Sequence, residues 1–361
     1  MNPPLRQRRR TKLATIADVA ELAGVSPMTV SRVVNGEDNV RPGTRDKVRA
    51  ALDTLNYQNH PIPRRVLDAD TISIGMVYHD PSVGYLSDFL IGLLNKASLR
   101  HVHLDVQRCE ARDDEQRQVA TLLAGGVDGL ILAPPFCDAE PLLQMAIDSG
   151  KLAVAVSSGR PHPKLSAVGI DDHRAAYEMT RHLLQLGHQR LGFVIGDRHQ
   201  RCSERRLAGF HAALRDAGMD PAQVALTAQG DFSYRSGLDA AEELLSAPQR
   251  PTALFASNDD MAAAAVAIAH RQGLDVPSDL TVVGFDDAPL ATTIWPELTT
   301  IRQPITQMAG AAVDLLVRHI RARRAGEPLP CEHVLVAHEL IRRQSDAAPR
   351  SRPPLRLSAA G

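Results

Sequence analysis

The sequence predicts a small all-α head joined by a linker to a larger α/β core with parallel sheets. Three observations carry this. Residues 15–57 place apolar side chains at helical spacing in three short runs. From Thr71 onward short apolar runs alternate with amphipathic helical stretches, the pattern of parallel strands with helices on both faces. Charge divides at the same place: residues 1–66 carry 12 Lys/Arg against 6 Asp/Glu, the remainder 29 against 36, so a net charge of −1 conceals a basic head (+6) on an acidic body (−7). A chain of 361 residues is long enough for more than one domain and a substantial core.

Residues 1–14 read as a basic, flexible arm. Thr15 to Gly36, TIADVAELAGVSPMTVSRVVNG, then reads as two short helices around a tight turn. Ile16, Val19, Ala20 and Ala23 make one apolar face, Thr15 can cap the helix, and Gly24 breaks it. Ser26 followed by Pro27 is an N-cap with a first-turn proline, opening a helix that turns Val30, Val33 and Val34 inward. Met28, Ser31, Arg32 and Asn35 form an outward stripe with Thr29 beside it. Such a face suits a DNA major groove, where an Arg can fork onto guanine or phosphate and hydroxyls can take phosphates. A plain helical hairpin with a polar face is the alternative. A third helix is expected over Thr44–Leu55, with Val48, Ala51, Leu52 and Leu55 facing in.

The run AGVSPMTVSRVVNG, continuing through the third helix to Leu55-Asn56-Tyr57, resembles the head of the lac/galactose repressor family. The resemblance implies a sequence-specific helix-turn-helix DNA-binding domain at 15–57. Its expected contact set is Thr15, Ile16, Ser26, Pro27, Met28, Thr29, Ser31, Arg32, Asn35, Tyr57 and Val66. Pro27 and Met28 hold the positions that set base preference in relatives; both are apolar, which points to thymine methyls or water-mediated readout. Residues 58–70, QNHPIPRRVLDAD, match the family's hinge, where a leucine wedges into the minor groove. Here that position is Val66, with Leu67 next to it, and a helix can begin only at about Pro63, so hinge helix and ordinary linker stand as two readings.

In the core, strands are expected at Ile72–Val77, Val102–Val106, Gly129–Ala133, Leu152–Val156, Leu191–Ile195, Ala253–Ala256 and Thr281–Gly284. Helices are expected at Asp113–Leu123, Ala175–Leu186, Glu204–Ala217, Ser236–Leu245 and Asp259–Gln272. Two units, about 71–170 and 171–299, with Leu298–Arg302 crossing back and a last strand near His333–Leu340, resemble the family's periplasmic-binding-protein-like core: two lobes joined by three crossings around a cleft, at 71–345. A disordered tail is expected at 346–361.

Ligands of such sheets bind beyond the carboxyl ends of strands, so the strand-to-helix junctions matter. Asn258, Asp286, Arg206 and Phe232 lie at or near such junctions, and an Asn, an Asp and an Arg beside an aromatic wall suit a polyhydroxylated or planar ligand. Each has a plainer reading: Asn258 and Asp259 as helix caps, Asp286 as a turn residue, Arg206 as a salt-bridged helix residue, Phe232 as core. The resemblance places Tyr85, Ser157, Arg206, Phe232, Asn258 and Asp286 in an effector pocket. Where many sugar-binding members carry Asp-Arg, this chain has Ser157-Ser158, which removes a charge.

Cys109, Cys137, Cys202 and Cys331 are widely spaced, which argues against a zinc site or disulfide framework and suits a reducing cytosol. There is no secretory signal, no membrane-length apolar run, no phosphate loop, HExxH or GxSxG, and no cofactor is expected. Four Asp-Asp pairs (113–114, 171–172, 259–260, 286–287) fall at helix starts and turns, where Asp is favoured anyway. The resemblance therefore implies a cytoplasmic homodimeric transcription factor, more often a repressor. It would bind a pseudo-palindromic operator and answer to a small effector such as a sugar. A solute-binding protein, or an α/β enzyme with a fused head, are the rivals.

Overall fold

The computed structural model describes residues 16–26, 29–30, 33, 41–54, 71–79, 83–109 and 114–350. The chain divides into two compact units, residues 1–68 and 69–361.

In the head, α1 (Ile16–Ala23) and α2 (Pro42–Thr54) enclose a small core of Val19, Ala20, Val30, Val48 and Ala51. Between them Thr29, Val30 and Val33 are helical, and Val33 packs on that core. Ser26 caps this helix as expected: its Oγ accepts from the Thr29 amide at 3.2 Å. α2 starts two residues before the expected Thr44, because Pro42 is compatible with a first helical turn.

The core holds two six-stranded sheets. The first lobe contains β1 (Ile72–Tyr78), β2 (Val102–Arg108), β3 (Gly129–Leu132), β4 (Leu152–Val156) and β5 (Ser166–Gly169). The second contains β6 (Leu191–Ile195), β7 (Ala225–Gln229), β8 (Ala253–Ala256), β9 (Thr281–Asp286) and β10 (Thr299–Arg302). With β11 (His333–Leu335) and β12 (Glu339–Ile341), the sheet orders are β11-β5-β4-β3-β1-β2 and β12-β10-β9-β8-β6-β7, parallel throughout except where β12 runs against β10. Lobe 1 carries α3 (Val83–Arg100), α4 (Glu115–Ala124) and α5 (Glu140–Asp148). Lobe 2 carries α6 (Asp172–Gln185), α7 (Arg201–Asp216), α8 (Pro221–Val224), α9 (Tyr234–Leu245), α10 (Asp259–Arg271) and α11 (Leu290–Thr293). The long α12 (Ile305–Ala325) returns to lobe 1.

Three expectations are corrected. The single last strand at 333–340 is two: β11 (His333–Leu335) joins the first sheet beside β5, and β12 (Glu339–Ile341) joins the second beside β10. Val336–His338 between them is a crossing, and the His338 Nε2 lies 3.0 Å from Glu178 of α6. Leu298–Arg302 is not itself a crossing: β10 lies within the second sheet between β9 and β12, and the chain leaves for α12 after it. Nor does the ordered chain stop at 345. The Val282 amide donates to Ser345 O at 2.9 Å, Thr281 Oγ1 to Ala347 O at 3.0 Å, and Arg350 pairs with Asp279 at 2.9 Å. Residues 351–361 lie outside the described set.

The helix that carries Arg206 is fixed by close packing. α7 lies against α6 with no room at Gly209, where a Cβ would sit 2.1 Å from the His173 carbonyl oxygen. Overpacking of this kind costs about 1–3 kcal/mol. Gly209→Ala is therefore expected to lower the unfolding free energy read from urea melts by an amount in that range, while Gly218→Ala, open to solvent but at a φ of +77°, is destabilised through its backbone instead.

Candidate functional site

In the head, Ser26 and Thr29 stand together at the start of the helical stretch between α1 and α2, their hydroxyls 2.9 Å apart. Ser26 is exposed and Thr29 half-buried. Ile16 begins α1. Thr15, Pro27, Met28, Ser31, Arg32, Asn35, Tyr57 and Val66 lie outside the described residues, as does the 58–70 segment where a hinge is expected.

In the core, all six residues expected to meet an effector line one cavity between the lobes. Tyr85, on α3, and Ser157, just past β4, face it from lobe 1, their hydroxyls bonded at 2.7 Å. Arg206, Phe232, Asn258 and Asp286 face it from lobe 2. These follow from strand ends: Asn258 past β8, Asp286 closing β9, and Arg206 on the helix after β6.

Arg206 is buried and fully ordered by its neighbours. Its Nε donates to Asp172 Oδ1 at 2.8 Å and its Nη1 to the Ser257 carbonyl, and its guanidinium lies 3.6 Å from the centroid of Phe285. Burial would lower this guanidinium; Asp172, then Cys202 and Asp286, outweigh it and hold it above the usual arginine range. Asn258 fills both of its readings: its side chain caps α10 by accepting from the Met261 amide at 3.0 Å, donates to the Phe232 carbonyl at 2.8 Å, and borders the cavity. Asp259 is the structural member of that pair, taking Thr300 Oγ1 at 2.7 Å and the Ala288 amide at 2.8 Å. Three of the cavity residues, Ser157, Phe232 and Asp286, have φ of 60°, 72° and 114°, a backbone region non-glycine residues rarely adopt and one that clusters at functional sites.

Sequence reasoning missed more than half of the wall. Leu86 and Phe89 follow Tyr85 on α3, and His79, Ala133, Pro134, Gln200 and Cys202 complete the rim. The most consequential omission is Gln303. It lies just past β10, donates from Nε2 to Asp286 Oδ1 at 2.6 Å, and leaves a buried Oε1 without a partner among the described residues. The strand-end rule would have found it had Leu298–Arg302 been read as a strand of the sheet.

Residues 15–60 match the lacI family of bacterial regulatory proteins, and residues 180–345 the periplasmic binding protein-like domain. Catabolite control protein A of Priestia megaterium is 30% identical over 333 residues, which cover 92% of this chain and 98% of that one. The chain belongs to the lacI family. Solved structures share its fold: the complex of the regulator CelR with cellobiose, 31% identical, matches with a TM-score of 0.69 over 92% of this chain and 99% of that one. The lac repressor dimer bound to operator and the anti-inducer ONPF, 29% identical, gives 0.69 over 93% and 100%. These relatives are transcriptional regulators and not enzymes, so this lacI-family chain is read as a DNA-binding transcriptional regulator. Among the described residues no helix is long and apolar enough to cross a membrane.

Burial drives the cavity's electrostatics. It pushes the Asp286 carboxyl up to about 7, against the opposing pull of Arg206 and the Gln303 hydrogen bond. Because the folded state holds this proton above the unfolded value of 3.8, stability is lost as pH rises through the folded value. Asp286→Asn is therefore expected to gain stability relative to the parent chain between pH 4 and 7, by at most roughly 4 kcal/mol. The difference in thermal midpoint across that range measures it.

Proposed function

We propose that this chain is a repressor whose affinity for a pseudo-palindromic operator is set by a small, uncharged, polyhydroxylated effector bound between the lobes. It acts as a homodimer in the cytoplasm. The observation that carries the effector reading is the convergence of Arg206, Asn258, Asp286 and Gln303 on one face of the cavity whose other face is Tyr85, Leu86 and Phe89. Donors and acceptors on one wall and apolar rings on the other suit a ring bearing hydroxyls.

Charge argues for a neutral ligand. Arg206 is already paired with Asp172, and Asp286 adds a second acid beside it, so an anionic effector would meet a carboxyl and, among the described lining residues, no unpaired Lys or Arg. The cellobiose in the CelR complex supports the sugar class. Operator binding rests on the family head and on the basic charge of residues 1–66. The cytoplasmic reading rests on four cysteines that are all free thiols.

The homodimer is supported by an exposed apolar stripe on α3. Ile91 is 50% and Leu94 58% exposed, three residues apart on one helix face. The lac repressor neighbour is itself a dimer. By linkage, effector and operator must change each other's affinity by one factor.

Three experiments test this. A thermal-shift screen of neutral sugars, sugar acids and sugar phosphates is expected to yield stabilising ligands among the neutral sugars alone. Arg206→Ala is then expected to abolish the response of operator binding to the ligand, read by fluorescence anisotropy, with the ligand-free operator affinity unchanged. Since that variant strands Asp172, Gln303→Leu serves as the milder second variant, weakening the ligand about tenfold. Leu94→Glu is expected to convert the dimer to monomer in sedimentation velocity.

A further inference from the structure

The lobes meet at the rim of the cleft, and one carboxylate makes the junction. Asp138 belongs to lobe 1, in the loop between β3 and α5. Its Oδ1 accepts from Ser158 Oγ at 2.6 Å, a partner in the same lobe that fixes its direction. Its Oδ2 accepts from the backbone amide of Arg201 at 2.9 Å, and Arg201 is the first residue of α7 in lobe 2. A first-turn helix amide has no partner within its own helix, and here the preceding Gln200 makes no side-chain cap. The cap comes from the other lobe.

Steric fit points the same way. Beside Asp138 the loop at Gly159 touches the same backbone: a Cβ on Gly159 would lie 2.3 Å from the Arg201 carbonyl carbon. Across the cleft Gly84 of α3 comes up against Ala288 and Pro289, a Cβ there lying 3.1 Å from the Ala288 methyl. The lobes are thus in contact on both sides of the cavity, and on one side the contact is a charge-assisted hydrogen bond to a helix terminus. That helix is α7, which also presents Cys202 and Arg206 to the cavity.

We propose that Asp138 is a positioning residue for the effector site: it latches the lobes shut from across the cleft and sets the helix that carries Arg206. The cleft cannot open at this rim without breaking the bond to Arg201, so the carboxylate biases the lobes toward the closed arrangement before any ligand arrives. An effector then binds a population already enriched in the closed form, and its apparent affinity falls by the fraction that Asp138 no longer holds closed. The link to effector affinity rests on the functional reading above; the latch itself does not.

The test uses the full-length, ligand-free protein and its own thiols. Cys202 is buried at the cleft, where burial pushes its thiol up to about 12, Cys109 is buried within lobe 1, and Cys331 is exposed. N-ethylmaleimide labelling followed by peptide mass spectrometry gives a rate for each, and hydrogen exchange reports the Arg201 amide. In Asp138→Ala the expected result is Cys202 labelling faster by about tenfold or more, the equilibrium factor that one charge-assisted hydrogen bond accounts for. The Arg201 amide loses protection, while Cys109 and the amides of Phe210–Leu214 keep their parent rates. Gly159→Ala, which leaves Asp138 in place and drives a methyl between loop and helix, gives the same pattern. The latch is overturned if Cys202 labelling and Arg201 exchange in both variants stay at the parent rates. It is equally overturned if Cys109 accelerates together with Cys202, since that reports unfolding of lobe 1 and not opening of the cleft. Neither result bears on whether a sugar binds.

Discussion

A guanidinium cannot be buried alone, and that constraint shapes the second lobe. Arg206 has 3% of its surface exposed, and removing such a charge from water costs several kcal/mol unless partners replace the lost hydration. The partners come from separate parts of the chain: Asp172 at the start of α6, the carbonyl of Ser257 past β8, and the ring of Phe285 on β9. Satisfying one side chain therefore fixes α6, α7 and the ends of two adjacent strands relative to one another. The cavity inherits its rigidity from that requirement. Asp286 extends it, since its carboxyl lies close enough to feel Arg206 and is itself held by Gln303, which stands at the point where the chain leaves for lobe 1.

The same residues serve folding and recognition at once. Asn258 is a helix cap, a strut to the Phe232 carbonyl and part of the wall. Phe232 is core by burial and cavity by position, held at a φ of 72°. Backbone strain of this kind costs about 1–3 kcal/mol for each residue and persists only where surrounding contacts over-determine it. Here those contacts include the Asn258 bond to the Phe232 carbonyl and the two bonds from Gln303 to Asp286. The plainer and the functional readings of these residues were never exclusive, because a strand end that needs a cap is also the place where a ligand finds unsatisfied polar groups.

What the sequence made legible followed periodicity. The expected strands at Leu152–Val156, Leu191–Ile195 and Ala253–Ala256 are observed with the same bounds, since each is a short apolar run buried on both faces. The edge strand β7, Ala-Leu-Thr-Ala-Gln, was invisible because its outer residues are exposed and carry no apolar alternation. The run from 333 to 340 read as one strand because nothing in its composition marks a change of sheet; only the antiparallel pairing of β12 with β10 does. Of the cavity, the polar residues were legible at strand ends, whereas Leu86 and Phe89 were not, because an apolar residue on a helix reads as core until the helix is known to border a cleft.

Ser157-Ser158 shows why a local departure cannot be judged locally. By sequence the pair removes a charge from a strand end that faces ligand in relatives. In the folded chain Ser157 is spent on the Tyr85 hydroxyl, and Ser158 turns away to hold Asp138. A carboxylate is thus still present near that strand end, supplied by the neighbouring loop, but it faces the N-terminus of α7 and not the cavity. Among the described lining residues the cavity's one acid is Asp286, on the opposite wall, which burial keeps partly protonated near neutrality. A wall so arranged can both donate to and accept from hydroxyl groups without a fixed negative charge. The serine pair therefore does not subtract from recognition: it moves the charge from the ligand to the joint between the lobes.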